Sequence, residues 1–267
     1  MTLSENNIFK LIKNLFSLFL IYIGLQILAS LISMTFMGIL GLLLKQNLLS
    51  KSSNSLNFLV FDCIFQIMAI YFFSKTYKNK EFNIIKINNH ISLKTIGKYS
   101  LISLGIGGIS TLWILLANFL SNYLPFIKNS LEDFSNLVSV FDGYPFLTII
   151  SVVILAPIFK ELVFRGIIFN EASKVKGGIF PILVSGLLFC LFHVQPIQIV
   201  YTSILGIILA FVYSKTHSLP IVMFLHMLNN LAAISPESVK PIVMVVQVFC
   251  IIPMVYLLKK LYRESKV

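Results

Sequence analysis

Residues 15–44, LFSLFLIYIGLQILASLISMTFMGILGLLL, run for thirty positions without one charged side chain. A hydrocarbon core of about 30 Å takes about 20 apolar residues to cross as a helix, so this stretch spans a bilayer with length to spare. It also exceeds the roughly 7–15 residues of a signal-peptide apolar region, and reads as a retained anchor. Being too long for an upright helix, it must tilt, kink or run beyond the bilayer.

The rest of the chain has the same character. Of its 267 residues, 57% are hydrophobic and only 12% charged, with a mean hydropathy of +0.91. A soluble domain carries about 25% charged residues, so too few are present to cover a water-facing surface. The fold class expected is all-α, a polytopic transmembrane helical bundle of about eight spans. These run from Leu15 to about Leu42, Leu56 to Phe73, Ser100 to Tyr123, Phe146 to about Asn170, Ile179 to Val194, Ile197 to Tyr213, Leu219 to Ile234 and Ile242 to Leu258. The fifth and seventh are short, which suggests that they sit inside the bundle. Three regions follow: residues 1–140 with three spans, a core at 141–235 with spans four to seven, and 236–267 with the last span and a basic tail.

The net charge of +11 does not indicate a nucleic-acid partner. Lysines sit in short gaps between apolar runs, as the positive-inside rule distributes them. Lys75, Lys78, Lys80, Lys86, Lys94 and Lys98 crowd the second gap against Glu81. Lys174 and Lys176 fall in the fourth, Lys215 in the sixth, and Lys259, Lys260, Arg263 and Lys266 in the tail. The third gap holds Glu132, Asp133 and Asp142 against Lys128. Both termini are therefore expected on the cytoplasmic side, with Lys45 and Lys51 as the opposing signal. Cys63, Cys190 and Cys250 lie in apolar runs without a C-x-x-C pair, and read as buried thiols.

Ionisable and amide groups inside apolar spans are costly and mark functional interiors. Three clusters qualify. In Ala156-Pro157-Ile158-Phe159-Lys160-Glu161-Leu162-Val163-Phe164-Arg165-Gly166, Glu161 and Arg165 are four residues apart and share a helix face, either as a structural ion pair or as site residues. Lys160 points about 100° away from Glu161. Phe189-Cys190-Leu191-Phe192-His193 ends the fifth span with a histidine, either hydrogen-bonded in the core or catalytic. In His226-Met227-Leu228-Asn229-Asn230, His226 and Asn230 project from one face, suited to stabilising an oxyanion or to bridging helices. No H-E-x-x-H, G-x-S-x-G or Walker loop is present. Counting from the span ends puts Lys160 past mid-membrane but His193 near the outer surface, a conflict the sequence leaves open.

Taken jointly, the three clusters resemble the CPBP intramembrane proteases, also called the CAAX protease and bacteriocin-processing or Abi family. Its pattern is E-E-x-x-x-R, F-x-x-x-H and H-x-x-x-N on separate membrane helices. Glu161 and Arg165, Phe189 and His193, and His226 and Asn230 match it in order, over about Phe146 to Leu231. Ala156-Pro157, Phe164-Arg165-Gly166, Gly206 and the Tyr213 to Leu219 turn also look familiar. The departure is Lys160, which stands where the family has its first glutamate.

The resemblance implies an endopeptidase that hydrolyses a peptide bond in a membrane-associated peptide or protein, in bacteriocin-type immunity, peptide maturation or CAAX-type processing. Glu161 would orient or activate water with His193, Arg165 would fix Glu161, and His226 with Asn230 would stabilise the oxyanion. The cofactor is either a divalent metal such as zinc, held by Glu161, His193 and His226, or activated water alone. Lys160 opens three alternatives: a catalytically impaired pseudoprotease that binds peptide or acts in immunity or signalling, a site in which Glu161 takes over, or a neutral Lys160 as base. A small proton-relaying transporter is disfavoured by the absence of internal duplication. The Asn/Lys/Ile-rich composition looks bacterial, so the expected partners are membrane lipid and a peptide or lipoprotein substrate at the cell membrane.

Overall fold

The computed structural model describes residues 5–49, 54–77, 93–141, 143–193 and 195–264. Of the topology signals, Lys51, Lys78, Lys80, Glu81, Lys86, Asp142 and Lys266 lie outside these residues. Among the described residues the chain is all helix: α1 (Glu5–Leu44), α2 (Asn54–Tyr77), α3 (Leu93–Leu120), α4 (Pro125–Ser139), α5 (Pro145–Val175), α6 (Phe180–Leu191), α7 (Pro196–Thr216), α8 (Leu219–Ala233), α9 (Lys240–Phe249) and α10 (Ile251–Glu264).

Five of these, α1, α2, α3, α5 and α7, are long and apolar enough to cross a membrane. The pair α9–α10, bent by 43°, makes a sixth crossing if taken together. The two remaining apolar helices, α6 and α8, are the short fifth and seventh segments anticipated above. The molecule is a multi-pass membrane bundle, and eight counts its apolar segments rather than its full crossings. Phe16, Phe19, Ile27 and Leu31 of α1 are more than half exposed. Such a surface would be untenable in water and is what acyl chains require.

At about 1.5 Å per residue, the 40 residues of α1 reach about 60 Å, roughly twice the hydrocarbon thickness. By the same measure the 12 residues of α6 cover about 18 Å. His193 follows the end of that helix, and its contact with Lys160 places the two at one level of the bundle. The third gap, expected only as a connection, forms α4, with apolar Phe126 and polar Glu132 and Asp133 on an amphipathic helix. The backbone N–H of Ile197 donates to Ser130 Oγ at 3.0 Å, and Trp113 Nε1 donates to the Ile197 carbonyl at 2.9 Å. The start of α7 is thereby fixed between α3 and α4.

Helix α5 is not uniform. It widens into π-helical turns at Ile149–Leu155 and Leu162–Phe169. Pro157 lacks the N–H that would bond the Val153 carbonyl, which breaks the i→i−4 ladder beside the first of these. The Ala156 N–H reaches back five residues to Ser151 O. In the second, the Asn170 side-chain amide donates to the carbonyls of Arg165 at 3.0 Å and Gly166 at 2.8 Å. Such turns inside α-helices often accompany functional sites, because they redirect side chains.

Around α5 pack α2, α6 and α8. Helices α6 and α7 cross at very close range through Gly186 and Gly206. A Cβ on Gly206 would lie 2.5 Å from the Gly186 carbonyl oxygen, and one on Gly186 would lie 2.9 Å from the Ile207 backbone. Helix α3 packs against α8, α9 and α10, with Ser103 Oγ donating to Leu225 O at 2.8 Å. The three sequence regions thus share one core.

Candidate active site

Glu161 and Arg165 lie one turn apart on α5, and neither is exposed at all. Arg165 Nη1 donates to Glu161 Oε1 at 3.2 Å, and Nε lies 3.1 Å from Oε2 as an ion contact without hydrogen-bond alignment. The other end of the guanidinium, Nη2, donates to the Gly206 carbonyl at 2.7 Å. The close α6–α7 crossing is what brings that carbonyl within reach. An isolated buried arginine would be prohibitive, and here both ends of its fork are occupied.

From α8, His226 Nδ1 donates to Glu161 Oε1 at 2.8 Å. This joins the first and third motifs directly across 65 residues. A carboxylate only accepts, so His226 carries its proton on Nδ1 and presents Nε2 as the basic nitrogen. His193 follows α6 and meets Lys160, whose Nζ lies 3.1 Å from His193 Nε2. With Lys160 as an ammonium, which only donates, His193 Nε2 is the acceptor and its Nδ1 bears the proton. That Nδ1 is buried without a partner. Phe189, fully buried, is the hub of the arrangement. Its ring centre is 4.8 Å from the Arg165 guanidinium carbon, 5.8 Å from Lys160 Nζ, and 5.3 and 5.5 Å from the rings of His193 and His226.

Four of the polar groups singled out, Lys160, Arg165, His193 and His226, therefore surround one aromatic ring, and Glu161 is bonded to two of them. Asn230 stands apart: its Nδ2 donates to the Val152 carbonyl in the first π-helical turn at 2.8 Å, tying α8 to α5. One residue escaped the motif reading. Asp62, in the apolar stretch of α2, accepts at Oδ2 from Gln66 Nε2 at 2.6 Å and from Ser151 Oγ of α5. A lone aspartate between Phe61 and Cys63 was the available signal.

The donor set does not fit a divalent cation. The ring nitrogen of His193 nearest the site faces an ammonium, and Glu161 Oε1 is already shared by Arg165 and His226. Two fixed positive charges flank the position. Among the described residues no group of three or more His, Cys, Asp or Glu side chains is arranged to hold a metal ion.

Fold and site together define a class: a multi-pass membrane protein with two histidines and a carboxylate gathered from separate helices. Residues 142–232 match the family described as type II CAAX prenyl endopeptidase Rce1-like. The chain is also similar to "Putative membrane peptidase YdiL" of Bacillus subtilis (strain 168), with 25% identity over 134 residues. The alignment covers 46% of this chain and 54% of that relative, so the chain spans about half the length of the curated protein it matches. No solved structure matches.

Proposed function

We propose that the chain is an intramembrane peptidase that hydrolyses a peptide bond in a membrane-associated peptide or lipoprotein. Its setting would be the cell membrane of a bacterium, with both termini cytoplasmic. The observation that carries this reading is the Arg165–Glu161–His226 chain of hydrogen bonds beside the Lys160–His193 pair.

Family resemblance alone would make Glu161 activate water with His193. The hydrogen bonds favour a different division of labour. Glu161, fixed by Arg165, holds His226 in the tautomer whose Nε2 is free to take a proton, as the carboxylate does in other carboxylate–histidine pairs. Water attacks the peptide carbonyl carbon as His226 Nε2 accepts its proton. The resulting oxyanion is met by the remaining N–H groups of the Lys160 ammonium. His226 then returns the proton to the departing amine as the C–N bond breaks. On this reading Lys160 serves the site, and a cation at that position is suited to a developing negative charge.

A second reading rests on the same 3.1 Å contact. If the first family position must be a base, an ammonium bonded to His193 leaves a peptide-binding protein without turnover. Lys160→Glu separates the two. Reconstituted protein given a membrane-anchored fluorogenic peptide should lose turnover with Lys160→Glu if the cation stabilises the oxyanion. A rise instead would establish the impaired-enzyme reading. His226→Ala should lower kcat by about 10²–10⁴-fold, the usual range for losing general-base function.

A further inference from the structure

We propose that a groove between α1 and α2 receives the substrate peptide as an extended strand and leads it to the site. Two cavities of about 260 and 430 Å³ adjoin there, and both are lined by Ser30 and Phe61. Gln26 lines one of them, and Ser33 and Asn57 line the other. Gln26, Ser30 and Ser33 are spaced i, i+4 and i+7, so they share one face of α1. Acyl chains offer such side chains no hydrogen bond, and polar groups held among apolar ones in a membrane mark substrate paths. Asn57 makes the demand specific. Its Nδ2 donates to Leu48 O at 2.9 Å, while its Oδ1 is buried and, among the described residues, without a partner. A buried acceptor in a groove calls for an N–H from the occupant. An extended backbone turns an N–H to the same edge every second residue, a repeat of about 6.6 Å. The step from Gln26 to Ser30 along α1 is about 6 Å, close to that repeat. Both walls of the groove continue to the site. On the α1 side, Gln26 Nε2 donates to the Tyr22 hydroxyl at 2.9 Å, and the Tyr22 ring packs on Phe159 at 6.3 Å and on Phe192 at 5.0 Å. On the α2 side, Phe61 stacks on Phe65 at 6.3 Å, and Phe65 meets Phe159 edge-on at 5.3 Å. Phe159 precedes Lys160 and Phe192 precedes His193. A strand lying in the groove thus has its inner end beside the Lys160–His193 contact.

The inference rests on the peptidase reading for the class of its ligand, and its test needs no turnover. In reconstituted full-length protein, p-benzoylphenylalanine is placed at Ile27, which lines the groove, or at Ile32, which is exposed about 140° round α1. The probe is a palmitoylated fluorescent peptide of alternating alanine and leucine, used beside two forms that are each N-methylated at one alternate set of amides. Irradiation should label the unmethylated peptide from Ile27 and leave only background from Ile32. One methylated form should lose that labelling, because its N–H groups towards the groove are gone, and the other should keep it. Asn57→Leu should weaken labelling by about two- to tenfold, the usual contribution of one hydrogen bond. Equal labelling from both positions, or labelling that neither methylated form changes, would assign the groove to acyl chains and overturn the proposal. Labelling from Ile27 without turnover of any anchored peptide would leave the groove standing and remove the peptidase reading. Turnover without labelling from Ile27 would do the reverse.

Discussion

Arg165 binds a side chain of its own helix, a backbone carbonyl of α7 and the face of an α6 ring, so its removal tests three helices at once. Arg165→Met leaves Glu161 buried beside a histidine without its main counter-charge. Breaking one partner of a buried pair costs about 3–5 kcal/mol, and denaturant titration in micelles should register that loss together with turnover. The Glu161–Arg165 contact was legible in the sequence, since a four-residue interval on a helix predicts it. The contact between Glu161 and His226 was not, because no local rule pairs side chains on helices separated by two others. Asp62 satisfied the same criterion that exposed the motifs, an ionisable group in an apolar run. It lies in α2, outside residues 146–231 that carry the three motifs.

At the level of the helices, the close crossing of α6 and α7 controls where Arg165 can reach. Gly206→Ala would push a methyl group into the Gly186 carbonyl and towards the Phe189 ring, 3.1 Å from its nearest carbon. Over-packing of this kind costs about 1–3 kcal/mol. The expected result is a lower unfolding midpoint together with a larger fall in turnover, because the Gly206 carbonyl would leave Arg165 Nη2. Equal stability and activity in Gly206→Ala would show that the crossing has slack. The shortness of α6 and α8 was visible as interrupted hydropathy. The π-helical turns of α5 were not, since hydropathy and propensity carry no information on whether a carbonyl bonds four or five residues ahead. Helix α4 was hidden for a related reason: it is too polar to register as a span, yet its amphipathic face and Ser130 hold the start of α7.

For the molecule as a whole, composition was decisive, because so few charges leave lipid as the only workable surroundings. Eight apolar segments were correctly located, of which five, or six with the bent pair, are long and apolar enough to cross a membrane. The basic gaps predict that both termini lie on the cytoplasmic side. Single cysteines placed near Asn6 and near Glu264, in a background lacking Cys63, Cys190 and Cys250, should both be alkylated by an impermeant reagent only from the cytoplasmic side of oriented vesicles. Labelling of one from each side would overturn the arrangement.

Helix α1 has a bearing on the site that its distance would not suggest. A rod of about 60 Å piercing a slab half as thick has to lean or protrude, and the degree of lean follows the slab. Its Asn14 amide is bonded at 2.8 Å to Glu171, near the end of the helix that also carries Glu161. Thicker and thinner bilayers would therefore load that bond differently, making acyl-chain length a mechanical input to the chemistry.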